Sequence, residues 1–146
     1  MQPADLTLLH FLARLGVAAG CGVAIGFERQ WRQRAAGLHT SSLVAIGSAL
    51  FALLDGILKA GDTTRIVAGV VTGVGFIAGG VIFRSGVNVT GLNTAATIWA
   101  TAAVGALAGF GLWQEAVIGA VAIIFFNLIL QPLANAIDAR TRERSE

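Results

Sequence analysis

Long apolar stretches, separated by short polar ones, constrain this chain more than any other feature of its sequence. A helix needs about 20 apolar residues to cross a bilayer. Five stretches approach that length: roughly Leu6 to Phe27, Ser41 to Leu58, Ile66 to Phe83, Thr94 to Phe110 and Glu115 to Leu133. Charged residues make up only 12 % of the chain, against about a quarter in soluble domains. The sequence therefore predicts an all-α, polytopic transmembrane bundle of five helices over residues 1–135, followed by a polar cytoplasmic tail at 136–146.

The basic residues predict the orientation of the bundle. Positively charged residues concentrate in cytoplasmic loops of membrane proteins. With the N-terminus outside, the first loop, the third loop and the tail lie in the cytoplasm, and they hold Arg29, Arg32, Arg34, Arg84, Arg140, Arg142 and Arg144. The outer loops hold only Lys59 and Arg65. We predict an N-out, C-in orientation, with lipid as a partner; the dispersed positive charge does not predict nucleic-acid binding.

Glycines recur at intervals of four within three of the apolar stretches. The stretch VVTGVGFIAGG at 70–80 superficially matches a nucleotide-binding loop. Such a loop needs its third glycine one residue earlier, between a strand and a helix. Glycines four apart instead let two membrane helices approach closely. We predict packing faces at Gly16, Gly20, Gly22, Gly26, Gly69, Gly73, Gly75, Gly79, Gly105 and Gly109, with stretches one, three and four at the tight centre and two and five outside it.

Three polar side chains at membrane depth, those of Arg14, Asp55 and Asn127, are candidates for function, because burying them in a bilayer is costly. Arg14 lies one turn after His10; it either extends along its own helix to the outer surface or pairs with Asp55 or Asp62. Asn127 is expected to hydrogen-bond across helices.

Other charged and polar residues lie at the predicted ends of the helices. Glu28 and Arg29 close the first stretch; we expect Glu28 to pair with Arg84 or Arg34 and weigh this against a transport site. Asp62, followed by Arg65, is predicted to cap the third helix, and Asn93 with Thr94 the fourth. Asp55 and Asp62 offer oxygen ligands to Mg²⁺, so the sequence leaves undecided whether they form a metal site. Catalytic motifs are absent, and the sequence predicts no enzyme and no cofactor.

Two longer segments carry a family resemblance. GFERQWRQRAAGLHTSSLVAIGSALF resembles the first signature of the MgtC/SapB family of membrane proteins, and the segment from DTTRIVAGVVTGVGFIAGG to GLNTAA resembles the second. The matching positions include Glu28, Arg29, Arg34, Gly37, Thr40, Asp62, Arg65, Gly73, Gly75, Asn93, Thr94 and Trp99. His39 stands where the family usually has arginine. Larger members add a cytoplasmic ACT-like domain, so the resemblance is to a short form holding only the membrane region.

The resemblance implies a multi-pass protein of the bacterial inner (plasma) membrane. It further implies a role in growth under magnesium limitation and, in pathogens, in survival inside host cells. It also implies regulation of other membrane proteins, the ATP synthase being one suggested partner. We therefore predict a non-enzymatic protein that forms homo-oligomers, most simply dimers, and modulates a membrane partner or ion homeostasis. The alternative is an oligomeric channel or transporter for Mg²⁺ or another small ion or solute.

Overall fold

The computed structural model describes residues 8–58, 61–86 and 88–143 as five helices and one short hairpin. The helices are α1 (Leu8–Trp31), α2 (Leu38–Leu58), α3 (Thr63–Gly79), α4 (Leu92–Gly109) and α5 (Trp113–Glu143). Strands β1 (Phe83–Ser85) and β2 (Asn88–Thr90) pair antiparallel between α3 and α4. The predicted all-α polytopic bundle is confirmed.

Four of these helices are long and apolar enough to cross a membrane: α1, α2, α4 and the part of α5 from Trp113 to Leu130. Helix α3 is apolar but has only 17 residues, which rise about 25 Å against a hydrocarbon core of about 30 Å. Its first residue, Thr63, nevertheless hydrogen-bonds to Asp55 near the outer end of α2, and Ala78 packs with Ala95 near the start of α4. Helix α3 therefore runs along the bundle from its outer to its inner end. We call the end that holds Trp31 and Leu38, which the basic residues predict to be cytoplasmic, the inner end.

The predicted boundaries need correction at the C-terminal ends of three helices. Helix α1 continues to Trp31, so Glu28 and Arg29 lie in a helical turn and not in a loop. Charged side chains do not interrupt the backbone hydrogen bonds of a helix, so hydropathy alone does not show where the helix ends. Helix α3 ends at Gly79, before the predicted end at Phe83. The apolar residues from Val81 to Phe83 lead into β1 and do not extend the helix. Helix α5 passes Leu133 and includes Pro132.

The centre of the bundle also differs from the prediction. Helix α4 packs against all four other helices. The two most extensive contacts between helices are those of α2 with α1 and of α2 with α4. Placing α3 at the centre was therefore wrong, and α2 takes that place. The stripe of α2 that faces both neighbours consists of small residues: Ser41, Ala45, Ser48, Ala49 and Ala52, all buried. Alanine and serine allow the same close approach as glycine.

Glycines of α1 and α4 press directly on this stripe. The Cβ of an added side chain at Gly22 would lie 2.9 Å from the Ser41 carbonyl oxygen, and one at Gly26 would lie 2.7 Å from Leu38 Cα. On the other side of α2, Cβ atoms at Gly105 and Gly109 would collide with the backbone at Ala45 and Ala49. Gly22, Gly26, Gly105 and Gly109 thus lie where a neighbouring helix approaches closely within this chain.

At the remaining predicted packing glycines, an added side chain would enter open space. Cβ atoms at Gly16 and Gly20, and at the four glycines of α3 (Gly69, Gly73, Gly75 and Gly79), would meet nothing within 4 Å. Of the 17 residues in α3, only Ala78 is buried. Helix α3 therefore lies at the margin of the bundle with open glycine faces.

The turn before α4 depends on one glycine. Gly91 has a φ of 90°, and a Cβ there would collide with the Val81 carbonyl. Its position just before Leu92 fixes how closely the hairpin folds back toward the end of α3.

Candidate functional site

A buried arginine joins three parts of the bundle at its inner end. Arg29, in the last turn of α1, is 1 % exposed. Its Nε and Nη2 donate to the Ala35 carbonyl at 3.0 and 2.7 Å, and Nε also donates to the Ala36 carbonyl at 3.2 Å. Its Nη2 and Nη1 donate to the hydroxyls of Thr94 at 2.8 Å and Thr97 at 3.2 Å. We call these five residues the arginine cluster.

The arginine cluster positions the loop between α1 and α2. In that loop Gln33 and Ala36 have φ values of 53° and 57°, a left-handed conformation that costs a residue with a Cβ roughly 1–2 kcal/mol. The bonds from Arg29 to the Ala35 and Ala36 carbonyls hold the loop in this shape. Sequence reasoning identified Arg29 and Thr94 but missed Thr97. Hydroxyls three residues apart on one face of α4 were the available signal.

Glu28 pairs within its own helix. Its Oε1 lies 3.4 Å from Arg32 Nε, one helical turn further on. The expected pairing with Arg84 or Arg34 is wrong in the described structure. Arg84 donates to the Gly86 carbonyl at 3.0 Å in its own hairpin, and Arg34 is exposed in the loop. The extension of α1 past Glu28 explains the difference, because it brings Arg32 to the helix position four residues on.

At the outer end, Asp55 connects α2 to the start of α3. Its side chain is almost fully buried and accepts a hydrogen bond from the Thr63 hydroxyl at 2.8 Å and from the Asp62 backbone N–H at 3.4 Å. Asp62 does occupy the N-cap position, but its side chain makes no capping hydrogen bond and instead pairs with Arg65 at 3.5 Å. Asp55, and not the Asp62 side chain, therefore anchors the two residues at which α3 begins.

Replacing Asp55 with alanine should loosen the first turn of α3. Loss of a helix-terminal acceptor costs about 1 kcal/mol, so backbone amides near Thr63 should exchange hydrogen roughly fivefold faster in detergent micelles. Asp62→Ala is the matched control and should leave these rates nearly unchanged, since its ion pair is exposed. Equal acceleration in both variants would contradict this assignment.

Arg14 uses neither of the two arrangements considered for it. Its Nη1 donates to the Gly109 carbonyl at 3.1 Å, at the end of α4, and its guanidinium borders Gly111. The last carbonyls of a helix lack intrahelical partners and carry partial negative charge. Arg14 thus closes the outer end of α4 by hydrogen bonding to it, without an ion pair to any carboxylate in the described residues.

The remaining predicted site residues are dispersed. Asn93 and Thr94 lie inside α4, whose N-cap is Gly91, so their prediction as caps is wrong. Asn127 is partly buried on α5, Trp99 is half exposed on α4, and Thr40 is partly buried on α2. The described part of the chain contains no group of three or more histidine, cysteine or acidic side chains suited to hold a metal ion.

A groove between α2 and α3 was not predicted. Its volume is about 700 Å³, and it runs from His39 and Thr40 at the inner end to Phe51 and Arg65 at the outer end. Its walls are mostly apolar, and three of its lining residues are glycines: Gly47, Gly69 and Gly73. No added Cβ at these three would meet another atom within 4 Å. The groove thus extends along α3 from Arg65 to Ile77, and its glycines leave it open.

Four apolar spanning helices, small-residue packing and polar groups satisfied inside the bundle define the class: a polytopic helical membrane protein. The MgtC family profile matches residues 15–136, so this chain belongs to the MgtC family. It is 50 % identical over 137 residues to the uncharacterized protein slr0014 of Synechocystis, 46 % over 139 to Protein MgtC of Brucella abortus, and 42 % over 133 to Protein MgtC of Salmonella typhimurium.

These alignments cover 92 %, 94 % and 91 % of this chain but only 58 % of each relative. The chain thus spans about three fifths of the length of the curated relatives it matches. No solved structure matches it.

Proposed function

We propose that this protein is a non-enzymatic regulator of the bacterial inner membrane that acts by binding other membrane helices through the groove between α2 and α3. Membership of the MgtC family supports the general class. The groove, with its three open glycines, is the observation that carries the proposal. Adaptation to magnesium limitation, and virulence in pathogens, are the processes that we propose it serves.

A transmembrane helix suits the groove better than a polar ligand. The lining residues between its two ends are apolar or small, and in lipid the association of helices depends on close backbone contact, not on burial of apolar area. Gly47 on α2 and Gly69 and Gly73 on α3 offer such contact. A second copy of the chain is the simplest occupant, and a dimer would place α3 of each protomer in the groove of the other. A heterologous helix, for example from a membrane subunit of ATP synthase, would use the same surface.

Gly73→Leu should weaken this association while Gly75→Leu should not. Both glycines lie in α3 with open Cβ positions, but only Gly73 lines the groove. We expect Gly73→Leu to weaken dimerisation in lipid bilayers about tenfold, equivalent to about 1.4 kcal/mol. Resonance energy transfer between labelled protomers, at several protein-to-lipid ratios, measures this. Equal dimerisation of the wild type and both variants would overturn the groove as the binding surface.

Flux measurements separate regulation from transport. Arg14 and Asp55, two of the charges that motivated a transport pathway, already hydrogen-bond to neighbouring groups of the chain. We expect proteoliposomes containing the protein to show no Mg²⁺ flux above that of empty vesicles. Specific flux that Glu28→Gln abolishes would establish the transporter alternative instead.

A further inference from the structure

Two buried side-chain atoms have no hydrogen-bond partner among the described residues: Glu28 Oε2 and Asn127 Nδ2. The Glu28 side chain is nine-tenths buried, and its other oxygen pairs with Arg32. One of the two atoms is an acceptor and the other a donor. Buried polar atoms in proteins nearly always have a partner, and the absence of water from the bilayer core strengthens that rule. Each of these atoms therefore needs an explanation.

Glu28 and Asn127 lie on facing stripes of α1 and α5. Ala18, Cys21 and Ile25 of α1 form one buried cluster with Ala116 and Ala120 of α5. Glu28 continues the α1 stripe three residues after Ile25, and Asn127 continues the α5 stripe seven residues after Ala120. Residues three, four and seven apart share a helix face. Both side chains thus extend the same interface toward the inner end.

Two independent contacts set these residues at one level. At the outer end, the Arg14 side chain borders Gly111, close to the start of α5 at Trp113. Helix α1 runs 14 residues inward from Arg14 to Glu28, and α5 runs 14 residues inward from Trp113 to Asn127; each distance is about 21 Å. Separately, Gly119 packs on Val104, which sets Asn127, eight residues further inward, level with the region of Thr97. Thr97 bonds to Arg29, the neighbour of Glu28. Both contacts therefore place Glu28 and Asn127 at the same height along the bundle.

The charges at this level decide what can lie between the two atoms. Glu28 is flanked by two guanidinium groups, the buried one of Arg29 and that of Arg32 at 3.4 Å. A metal cation would add to a positive surplus and would face the amide N–H of Asn127. A water molecule, which donates and accepts, satisfies both atoms and adds no charge. We propose that Glu28 Oε2 and Asn127 Nδ2 together bind one water molecule, which bridges α1 and α5 at the inner end.

The interface on the outer side of this site is apolar, because the cluster around Cys21, Ile25 and Ala120 fills it. The water therefore exchanges only with the inner side of the membrane. This site is separate from the groove between α2 and α3, and its existence does not depend on the function proposed for that groove.

A double-mutant cycle tests whether the two side chains share one occupant. Glu28→Met and Asn127→Leu should each lower the Tm of the purified protein in detergent. The double variant should lose measurably less than the sum of the two single losses, because either substitution alone removes the bridge. The stability losses caused by substitutions at two independent sites would instead add. Glu28→Met combined with Phe126→Leu, an exposed neighbour on α5, is the matched control and should be additive. Additive losses for Glu28 and Asn127 would overturn the proposal.

Two measurements on the wild-type protein identify the occupant even if a variant fails to fold. An experimental map that resolves ordered waters should show one within hydrogen-bond distance of both atoms; a direct bond between the two side chains would overturn the proposal. Melting in sodium, potassium or magnesium chloride should match melting in choline chloride at equal ionic strength. A rise in Tm that one cation produces alone would establish a cation site in place of the water.

Discussion

Adding one methyl group at Gly105 should destabilise the protein more than almost any other alanine substitution in α4. The Cβ of Gly105→Ala would collide with the Ala45 carbonyl and lie 2.7 Å from Ala45 Cα. Both atoms belong to the backbone of α2, so no side-chain rotation relieves the contact, and the two central helices must separate. We expect a loss of about 3 kcal/mol in the free energy of unfolding.

Gly16→Ala is the matched control for this experiment. Gly16 also lies within a helix, but its added Cβ meets nothing within 4 Å. Alanine favours a helix over glycine by up to about 1 kcal/mol, so this variant should equal or exceed the wild type in stability. Thermal unfolding in detergent, together with the yield of monodisperse protein, gives both results. If the two variants behaved alike, the close packing of α4 on α2 would be refuted.

Replacement of Arg29 by methionine should have a comparably large effect through lost hydrogen bonds. Methionine keeps much of the length of the side chain but none of its donors. The buried hydroxyls of Thr94 and Thr97 therefore lose the bonds that Arg29 donates, and the loop carbonyls of Ala35 and Ala36 lose theirs. Each buried polar group left without a partner costs about 1–3 kcal/mol. We expect a loss of about 3 kcal/mol in the free energy of unfolding, together with faster proteolysis of the loop that follows α1.

Two further variants define the cause of this effect. Arg29→Lys keeps the charge but cannot reproduce the planar array of donors, so its stability should lie between those of the wild type and Arg29→Met. Arg34→Met removes an exposed arginine from the same loop and should change stability by less than about 0.5 kcal/mol. A stability loss for Arg34→Met equal to that for Arg29→Met would show that net charge, and not the arginine cluster, is responsible.

The number of helices was predictable because apolar length and polar interruption are local properties of the sequence. The packing partners of each helix were less accessible. Glycine spacing marked α1, α3 and α4 equally, yet only Gly22, Gly26, Gly105 and Gly109 meet a neighbouring backbone. The decisive surface is the serine and alanine stripe of α2, which a search restricted to glycine overlooks.

The polar residues show the same limit. Asp62 was expected to cap α3 because it directly precedes the helix, whereas Asp55, from the preceding helix, supplies the bond to Thr63. Sequence order reveals local capping but not a contact that depends on how two helices cross. The burial of Arg29 likewise follows from the extension of α1 and the approach of α4, which are tertiary facts.

The marginal position of α3 separates two demands on this sequence. Stability depends on α1, α2 and α4, where single methyl groups matter, while α3 contributes one buried side chain. Substitutions on the lipid-facing side of α3 are therefore tolerated far more readily than substitutions at the α2–α4 contact. Changes in the α3 wall of the groove that we propose as a binding surface would therefore cost little stability. The binding preference that we propose and the stability of the bundle would thus depend on largely separate helices.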